Sequence, residues 1–392
     1  MDIKIENNKV LHIMQGKGWY IDGNDKMNTS VLKKSLIQRK SSDSDIVNNP
    51  CIYVMSTCNG KCMYCYQNDH LRKITPNLSF DEISKFIYDL NKIQDDKIPK
   101  TIELFGGEPF MRKDVIEIIE LLKSYGYKIL IATNGTLPIL GDKKIHKYLI
   151  NDVHIRISLD GHNKELHERY RTKNTFDTIV DNIRKLRESN IDVSVKSIIS
   201  DYNFPYIYDI LTFLRDDLNV KHWNYNVLYK LEEYHKNKIE TNINHYTMVK
   251  ELCNDKYFEF LPMLKQTPLT QMLISVYVKN TQRYRRTYIF LNYDKKIYMN
   301  DQLIVPEYSV GNIGNLNDIK YQQFIDKYET RRQSCQGCFC NDYCYLGNYG
   351  ELYSKDHTLM EEFPTCDILR NSIIFIMKQQ NKGMAILKEI MR

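Results

Sequence analysis

From about Pro50 the chain alternates short apolar runs with amphipathic stretches. Strand-like runs lie at Ile52–Met55, Thr101–Phe105, Lys128–Ala132, Val153–Ser158, Val193–Ile199 and His222–Leu228. Between them, Phe80–Ile93, Lys113–Tyr125, Lys143–Ile150, Thr175–Ser189 and Phe204–Leu218 repeat apolar residues at helical spacing. Six such units in series predict a parallel sheet with crossover helices, either an open doubly wound sheet or most of a barrel. The first 50 residues are polar, with strand-like pieces at Val10–Met14 and Gly18–Ile21. After Lys230 the alternation stops. A helical segment near Tyr246–Phe260 leads to a hairpin-like stretch at Thr287–Asn300 and a helix from about Asp367. The expected division is a short β-containing segment over 1–49, the α/β unit over 50–235, a helical linker over 236–285 and a cysteine-rich unit over 286–392.

Composition narrows the class. Across 392 residues the charged fraction is 27% and the apolar fraction 42%, the balance of a folded globular protein and not of a disordered or low-complexity chain. No run approaches the roughly 18 apolar residues of a membrane span, and the first ten residues do not read as a secretion signal, so a cytoplasmic protein is expected. A net charge of +6 with lysines spread throughout does not indicate nucleic-acid binding.

The ten cysteines fall in two dense groups, with Cys51 and Cys253 alone and read as small buried hydrophobes. Clustered cysteines in a reducing compartment point to metal or catalysis before disulfides. Cys58, Cys62 and Cys65 follow the first strand at CxxxCxxC spacing, on a loop that sits at the C-terminal edge of a parallel sheet. Three thiolates without a fourth fit a 4Fe–4S cluster that keeps one iron open. Structural zinc wants four ligands, commonly as CxxC pairs. Phe105-Gly106-Gly107-Glu108-Pro109 ends the second strand and lands on the same edge. Its glycines admit a ligand close to the backbone, and exposed carbonyls with the Glu108 carboxylate can receive an ammonium group.

In these motifs the sequence resembles the radical S-adenosylmethionine enzymes. The CxxxCxxC loop, an aromatic residue before the third cysteine (Tyr64) and the Gly-Gly-Glu one strand later carry the resemblance, which covers about 50–230. It implies a partial (β/α)6 TIM-like barrel, a cluster on Cys58, Cys62 and Cys65, and S-adenosylmethionine as cofactor. The family's strand ends meet the methionine and ribose parts of that cofactor. By resemblance contacts to the cofactor fall to Tyr64, to Gly106, Gly107 and Glu108, to Asn134 in Thr133-Asn134-Gly135, and to Ser158 and Asp160 in Ser158-Leu159-Asp160-Gly161. Ser158 and Asp160 can bond ribose hydroxyls, and Arg171 in the His167–Arg171 stretch offers a cation for the cofactor carboxylate.

Cys335, Cys338 and Cys344 follow a CxxC-x5-C pattern, with Cys366 after 21 further residues and Cys340 spare. This text resembles the SPASM extension of peptide-modifying radical enzymes, as does the turn Val310-Gly311-Asn312-Ile313. A full extension holds two auxiliary clusters. Here Asn348 stands where one cysteine of the second would be, and the hairpin Tyr288–Asp301 contains none. The expected outcome is one auxiliary 4Fe–4S cluster on Cys335, Cys338, Cys344 and Cys366, with tetrahedral zinc on the same four as the alternative.

The resemblance implies a hydrogen-abstracting oxidoreductase acting on a ribosomally made precursor peptide, forming a thioether or carbon–carbon cross-link. A closed auxiliary cluster suits carrying away the second electron. The electron donor would be a flavodoxin or ferredoxin. The segment before the barrel holds at most a shortened leader-binding unit, which leaves a separate leader-recognition protein as the substitute. Rival readings are a peptide epimerase, a sulfatase-type formylglycine maturase in which Asp301 would be the general base, and a zinc-bearing interaction module on an inactive barrel. A turn aspartate is the plainer account of Asp301.

Overall fold

The computed structural model of the protein describes residues 2–4, 9–14, 18–21, 47–65, 77–94, 99–228, 239, 241–278, 287–298, 309–316, 338, 340 and 366–392. Strands β1 (Asp2–Lys4), β2 (Val10–Met14) and β3 (Gly18–Ile21) form a small antiparallel sheet. Strands β4 (Val47–Met55), β5 (Thr101–Gly106), β6 (Lys128–Thr133), β7 (Val153–Ser158), β8 (Asp192–Ile199) and β9 (His222–Val227) lie side by side in chain order, all parallel. These are the six expected units. The crossovers carry helices α1 (Phe80–Ile93), α2 (Val115–Ser124), α3 (Lys143–Leu149), α4 (Lys164–His167), α5 (Phe176–Glu188) and α6 (Ile207–Thr212).

The hairpin does not stand apart from this sheet. Strand β10 (Thr287–Leu291) pairs in parallel with β4, Phe290 opposite Cys51, and adds a seventh parallel strand across the boundary expected near 286. Strands β11 (Lys296–Tyr298) and β12 (Gly311–Asn312) follow antiparallel, giving the order β12-β11-β10-β4-β5-β6-β7-β8-β9.

Local chemistry explains where the elements begin and end. The Ser79 hydroxyl accepts from the Glu82 amide at 3.1 Å and the Glu82 carboxylate accepts from the Ser79 amide at 2.8 Å, a capping box that starts α1. After α7 (His245–Leu252) and a 3-10 segment at Asp255–Leu264, helix α8 (Pro268–Tyr277) starts at Thr267 with proline in its first turn. It lies within the stretch expected to be a helical linker. The C-terminal helix α9 (Cys366–Met391) is kinked at Gln380, whose φ is 49°. In an unbroken helix the Gln380 amide would serve the Ile376 carbonyl. The Tyr277 hydroxyl also donates to that carbonyl, at 2.6 Å.

The sheet has two unlike faces. Ile102, Leu104, Ile129, Ile131, Ile155 and Val195 point under the helices and are at most 2% exposed. The opposite face carries half-buried Glu103, Arg156, Ser158, Lys196 and Asn224 toward its β5–β9 side. Near β4 and β10 that face is closed by a separate apolar cluster of Cys51, Tyr53, Phe290, Tyr293 and Tyr298 with Phe105 against it. The small sheet is tied to α8 by Trp19, whose indole N–H donates to the Val276 carbonyl at 3.3 Å. No helix among the described residues is long and apolar enough to cross a membrane.

Candidate active site at the strand ends

Parallel strands bring the turns after β4, β5, β6 and β7 to one edge, and the hydrogen bonds there knit four sequence motifs into one site. The turn after β5 is the keystone. The Gly107 amide donates to the Met55 carbonyl at 2.7 Å and the Glu108 amide to the Thr57 carbonyl at 3.0 Å, so the root of the cysteine loop is stitched to the glycine pair. Gly106 sits at φ +136°, and a Cβ on Gly107 would stand 2.0 Å from the Thr57 oxygen. Only glycine allows this approach.

Glu108 is wholly buried. Its Oε1 accepts from the Thr133 hydroxyl at 2.6 Å and the Phe110 amide at 3.2 Å, and its Oε2 accepts from the Asn134 amide at 2.7 Å. Burial pushes the carboxyl up to about 7, with these three donors opposing. The side chain expected to receive an ammonium group is thus a brace between the ends of β5 and β6. Its two oxygens offer about four acceptor sites, so these three donors leave one for an ammonium group. Asn134 extends the brace, since its Nδ2 reaches Asn59 Oδ1 at 2.8 Å and Cys58 Sγ at 3.7 Å.

Asp160, expected to face ribose, is 4% exposed and already engaged. It accepts from Arg171 Nε at 2.7 Å and Nη2 at 3.2 Å, from the Ile198 amide at 2.8 Å and from the Tyr64 hydroxyl. Burial works against the charge of Arg171, and Asp160 more than offsets it, holding the guanidinium's pKa above its ordinary range. The Arg171 guanidinium lies 5.3 Å from the Tyr64 ring centroid. Burial pushes the Cys62 thiol up while Arg171 acts in the opposite direction. His167 accepts from the Asp160 amide through Nδ1 at 3.2 Å, and burial lowers its pKa to about 4, so it is neutral. Ser158 is half-buried at the end of β7, level with Lys196 of β8.

Cys58, Cys62 and Cys65 form no disulfide, and all are half-exposed on this one loop. Among the described residues no three His, Cys, Asp or Glu side chains converge on a single metal-ion position. A 4Fe–4S cluster presents each thiolate to a different iron and does not need such convergence. Three thiols and no fourth ligand on the loop fit that group by donor chemistry. Glycine at position 60 keeps the backbone beside Cys58 uncluttered, since a Cβ there would come within 3.3 Å of the sulfur. The second group is described only in part. Cys340 is 2% exposed within the main core, Cys338 packs against that core, and Cys366 opens α9. Cys335, Cys344, Asn348 and Asp301 lie outside the described residues.

Several residues the motif reading missed hold the site. Thr133 bonds Glu108. Asn203 Nδ2 donates to the Asp160 carbonyl at 2.8 Å, and Arg112 Nη1 to the Val54 and Leu78 carbonyls at 2.6 and 2.7 Å. Thr133 lies within the Thr133-Asn134-Gly135 motif, in which only Asn134 was given a role. Nothing in the local sequence marks Asn203 or Arg112, because their partners are remote in the chain.

Residues 52–214 match the Radical SAM superfamily, which places a radical SAM domain over β4 to α6. The chain is similar to a "Probable GTP 3',8-cyclase" of Pyrococcus horikoshii, 26% identical over 256 residues, covering 64% of this chain and 73% of that protein. It is 27% identical over 172 residues to an "AdoMet-dependent heme synthase" of Oleidesulfovibrio alaskensis, covering 44% of this chain and 43% of that one. It is also 29% identical over 170 residues to the "Antilisterial bacteriocin subtilosin biosynthesis protein AlbA" of Bacillus subtilis, covering 43% of this chain and 37% of that one. Among solved structures, native anSMEcpe with bound AdoMet and Cp18Cys peptide superposes with a TM-score of 0.69 at 17% identity, over 87% of this chain and 99% of that one. Streptococcus suis SuiB bound to precursor peptide SuiA gives a TM-score of 0.64 at 15% identity, over 81% and 75%. At these identities the likeness is one of fold, the partial barrel.

Proposed function

We propose that the chain is a radical S-adenosylmethionine oxidoreductase that takes a hydrogen atom from a precursor peptide and installs a thioether or carbon–carbon cross-link. The observation that carries this reading is the stitching of a three-cysteine loop to the Gly106-Gly107-Glu108 turn on one sheet edge. When bound, the cluster supplies the electron that reductively cleaves S-adenosylmethionine and so gives the radical that attacks a substrate C–H bond. The chain's own residues hold and shield. Cys58, Cys62 and Cys65 would hold three irons, leaving one open. Gly106 and Gly107 let the cofactor's amino-acid end approach the backbone, with Glu108 beneath. Asn134 and Ser158 line the edge where ribose would lie. Arg171 gives Nε and Nη2 to Asp160, and its remaining Nη1 is the proposed donor to the cofactor carboxylate. The aromatic cluster around Tyr53 and Phe105 fills part of the sheet's inner face and keeps water from it.

For the peptide, support comes from the fold shared with two enzymes whose structures hold peptides and from the similarity to a bacteriocin biosynthesis protein. An auxiliary 4Fe–4S cluster on Cys335, Cys338, Cys344 and Cys366, and an acidic electron carrier such as flavodoxin or ferredoxin, belong to the same proposal. The match to a probable GTP cyclase favours a second reading, a nucleotide substrate at the same edge. The test is 5′-deoxyadenosine production by the reconstituted, dithionite-reduced chain. Replacing Cys58, Cys62 and Cys65 together by Ala should abolish it. Undiminished production by the triple variant ends the radical-enzyme reading. GTP consumed at the rate of cofactor cleavage would move the substrate to the second reading.

A further inference from the structure

The cysteine loop has two halves with separate anchors. Its first half, through Cys58, hangs on the glycine turn, Asn134 and Asn77, whose Oδ1 accepts from the Ser56 amide at 2.8 Å. The second half, which carries Cys62 and Cys65, is gripped from another side. The Lys61 amide donates to the Thr172 hydroxyl at 2.7 Å, the Met63 amide donates to the Tyr170 carbonyl at 2.7 Å, and the Tyr64 hydroxyl donates to Asp160. Three successive residues, 170 to 172, thus reach the loop or its Tyr64 partner. Arg171, between the two direct contacts, is locked to the Asp160 carboxylate, the pair being 10% and 5% exposed. Asp160 is fixed in turn by the Ile198 amide at its side chain and by Asn203 Nδ2 at its carbonyl.

Resting on the radical-enzyme reading, we infer that Tyr170-Arg171-Thr172 is a strap that holds the Cys62–Cys65 half of the loop in its cluster-binding shape. Asp160 is the positioning residue on which the strap is anchored. Its acceptor sites face Arg171, Tyr64 and Ile198, so it acts through them and not on ribose. Loop residues 56–65 contain no helix or strand to fix their shape, and a loop without such support is held only as firmly as its cross-links. The same arrangement would let Arg171 serve twice, with Asp160 orienting it through Nε and Nη2 and Nη1 as the proposed donor to the cofactor.

The experiment uses the full reconstituted chain with Asp160→Asn and Thr172→Val, each checked by circular dichroism for an unchanged fold. Thr172→Val keeps the side-chain shape and removes only the acceptor of the Lys61 amide. Loss of loop iron to a chelator is counted against a Cys58→Ala chain, and the reduced spectrum is recorded before any S-adenosylmethionine is added. Both variants should lose that iron about fivefold faster, the ratio expected for one lost hydrogen bond, and shift the cofactor-free spectrum. Unchanged loss and spectrum, with cofactor binding weakened about tenfold in Asp160→Asn, would confine Asp160 to the cofactor site, directly or through Arg171, and overturn the strap. Unchanged values throughout overturn it as well. A wild-type chain that takes up no more iron than Cys58→Ala removes the radical-enzyme reading, and the strap with it.

Discussion

Replacing Glu108 by Gln should flatten a pH dependence built into the cluster-free protein. The carboxyl is raised from 4.5 to about 7 chiefly by burial. A folded-state pKa above the unfolded one means the native protein binds this proton more tightly. Its contribution to stability is therefore full below pH 4.5 and is lost as pH rises through about 7. At about 1.4 kcal/mol per unit, the whole swing is about 3 kcal/mol, of which about 2.5 falls between pH 5 and 8. Glutamine cannot titrate. With its carbonyl in the place of Oε1 it keeps the Thr133 hydroxyl and the Phe110 amide and gives up only the Asn134 amide, so the variant should fold. The assay is urea unfolding of both cluster-free chains at several pH values under reductant. The stability difference, wild type minus Glu108→Gln, should fall by about 2.5 kcal/mol from pH 5 to pH 8. A difference that stays level would refute the claim that this carboxylate is buried in its ionisable form. The variant should also lose cofactor cleavage, since it keeps two of the three bonds of the brace and loses the charge.

Gly107→Ala would drive a methyl group to 2.0 Å from the Thr57 oxygen. The cysteine loop should then detach from the turn, and iron uptake by Cys58, Cys62 and Cys65 should fall to the level of a Cys58→Ala chain; normal uptake would show that the loop does not need this seat. If the four outer cysteines hold one cluster, the reconstituted chain should carry about 8 irons, two 4Fe–4S sets. Cys340→Ala should leave that count and product formation alone, because its sulfur is buried in the core, while Cys366→Ala should spare initial cofactor cleavage and stop product formation. About 4 irons with one zinc would replace the auxiliary cluster by a structural metal site.

The period of the apolar positions determined the sheet. Residues that alternate in a strand must put one set under the helices, and the run from β5 to β9 does so within a residue or two of the expected bounds. The cysteine loop and the glycine turn were legible for a related reason: the chemistry of both is local, fixed by residue type and short spacing. That parallel strands carry both to the same edge follows from topology alone. Other features belong to the tertiary structure. The pairing of β10 with β4 joins residues more than 200 positions apart, and nothing in either strand names its partner. The carbonyl of Ile376, one turn before the kink at Gln380, takes a hydrogen bond from a tyrosine of another helix. Most of all, the sequence offered Asp160, Arg171 and Tyr64 as three separate contacts for a cofactor, each judged by what its side chain could do alone. Folding placed them against one another. The buried Asp160 carboxylate already accepts four hydrogen bonds, about as many as its two oxygens can take, whereas the guanidinium gives it only two of its five N–H donors.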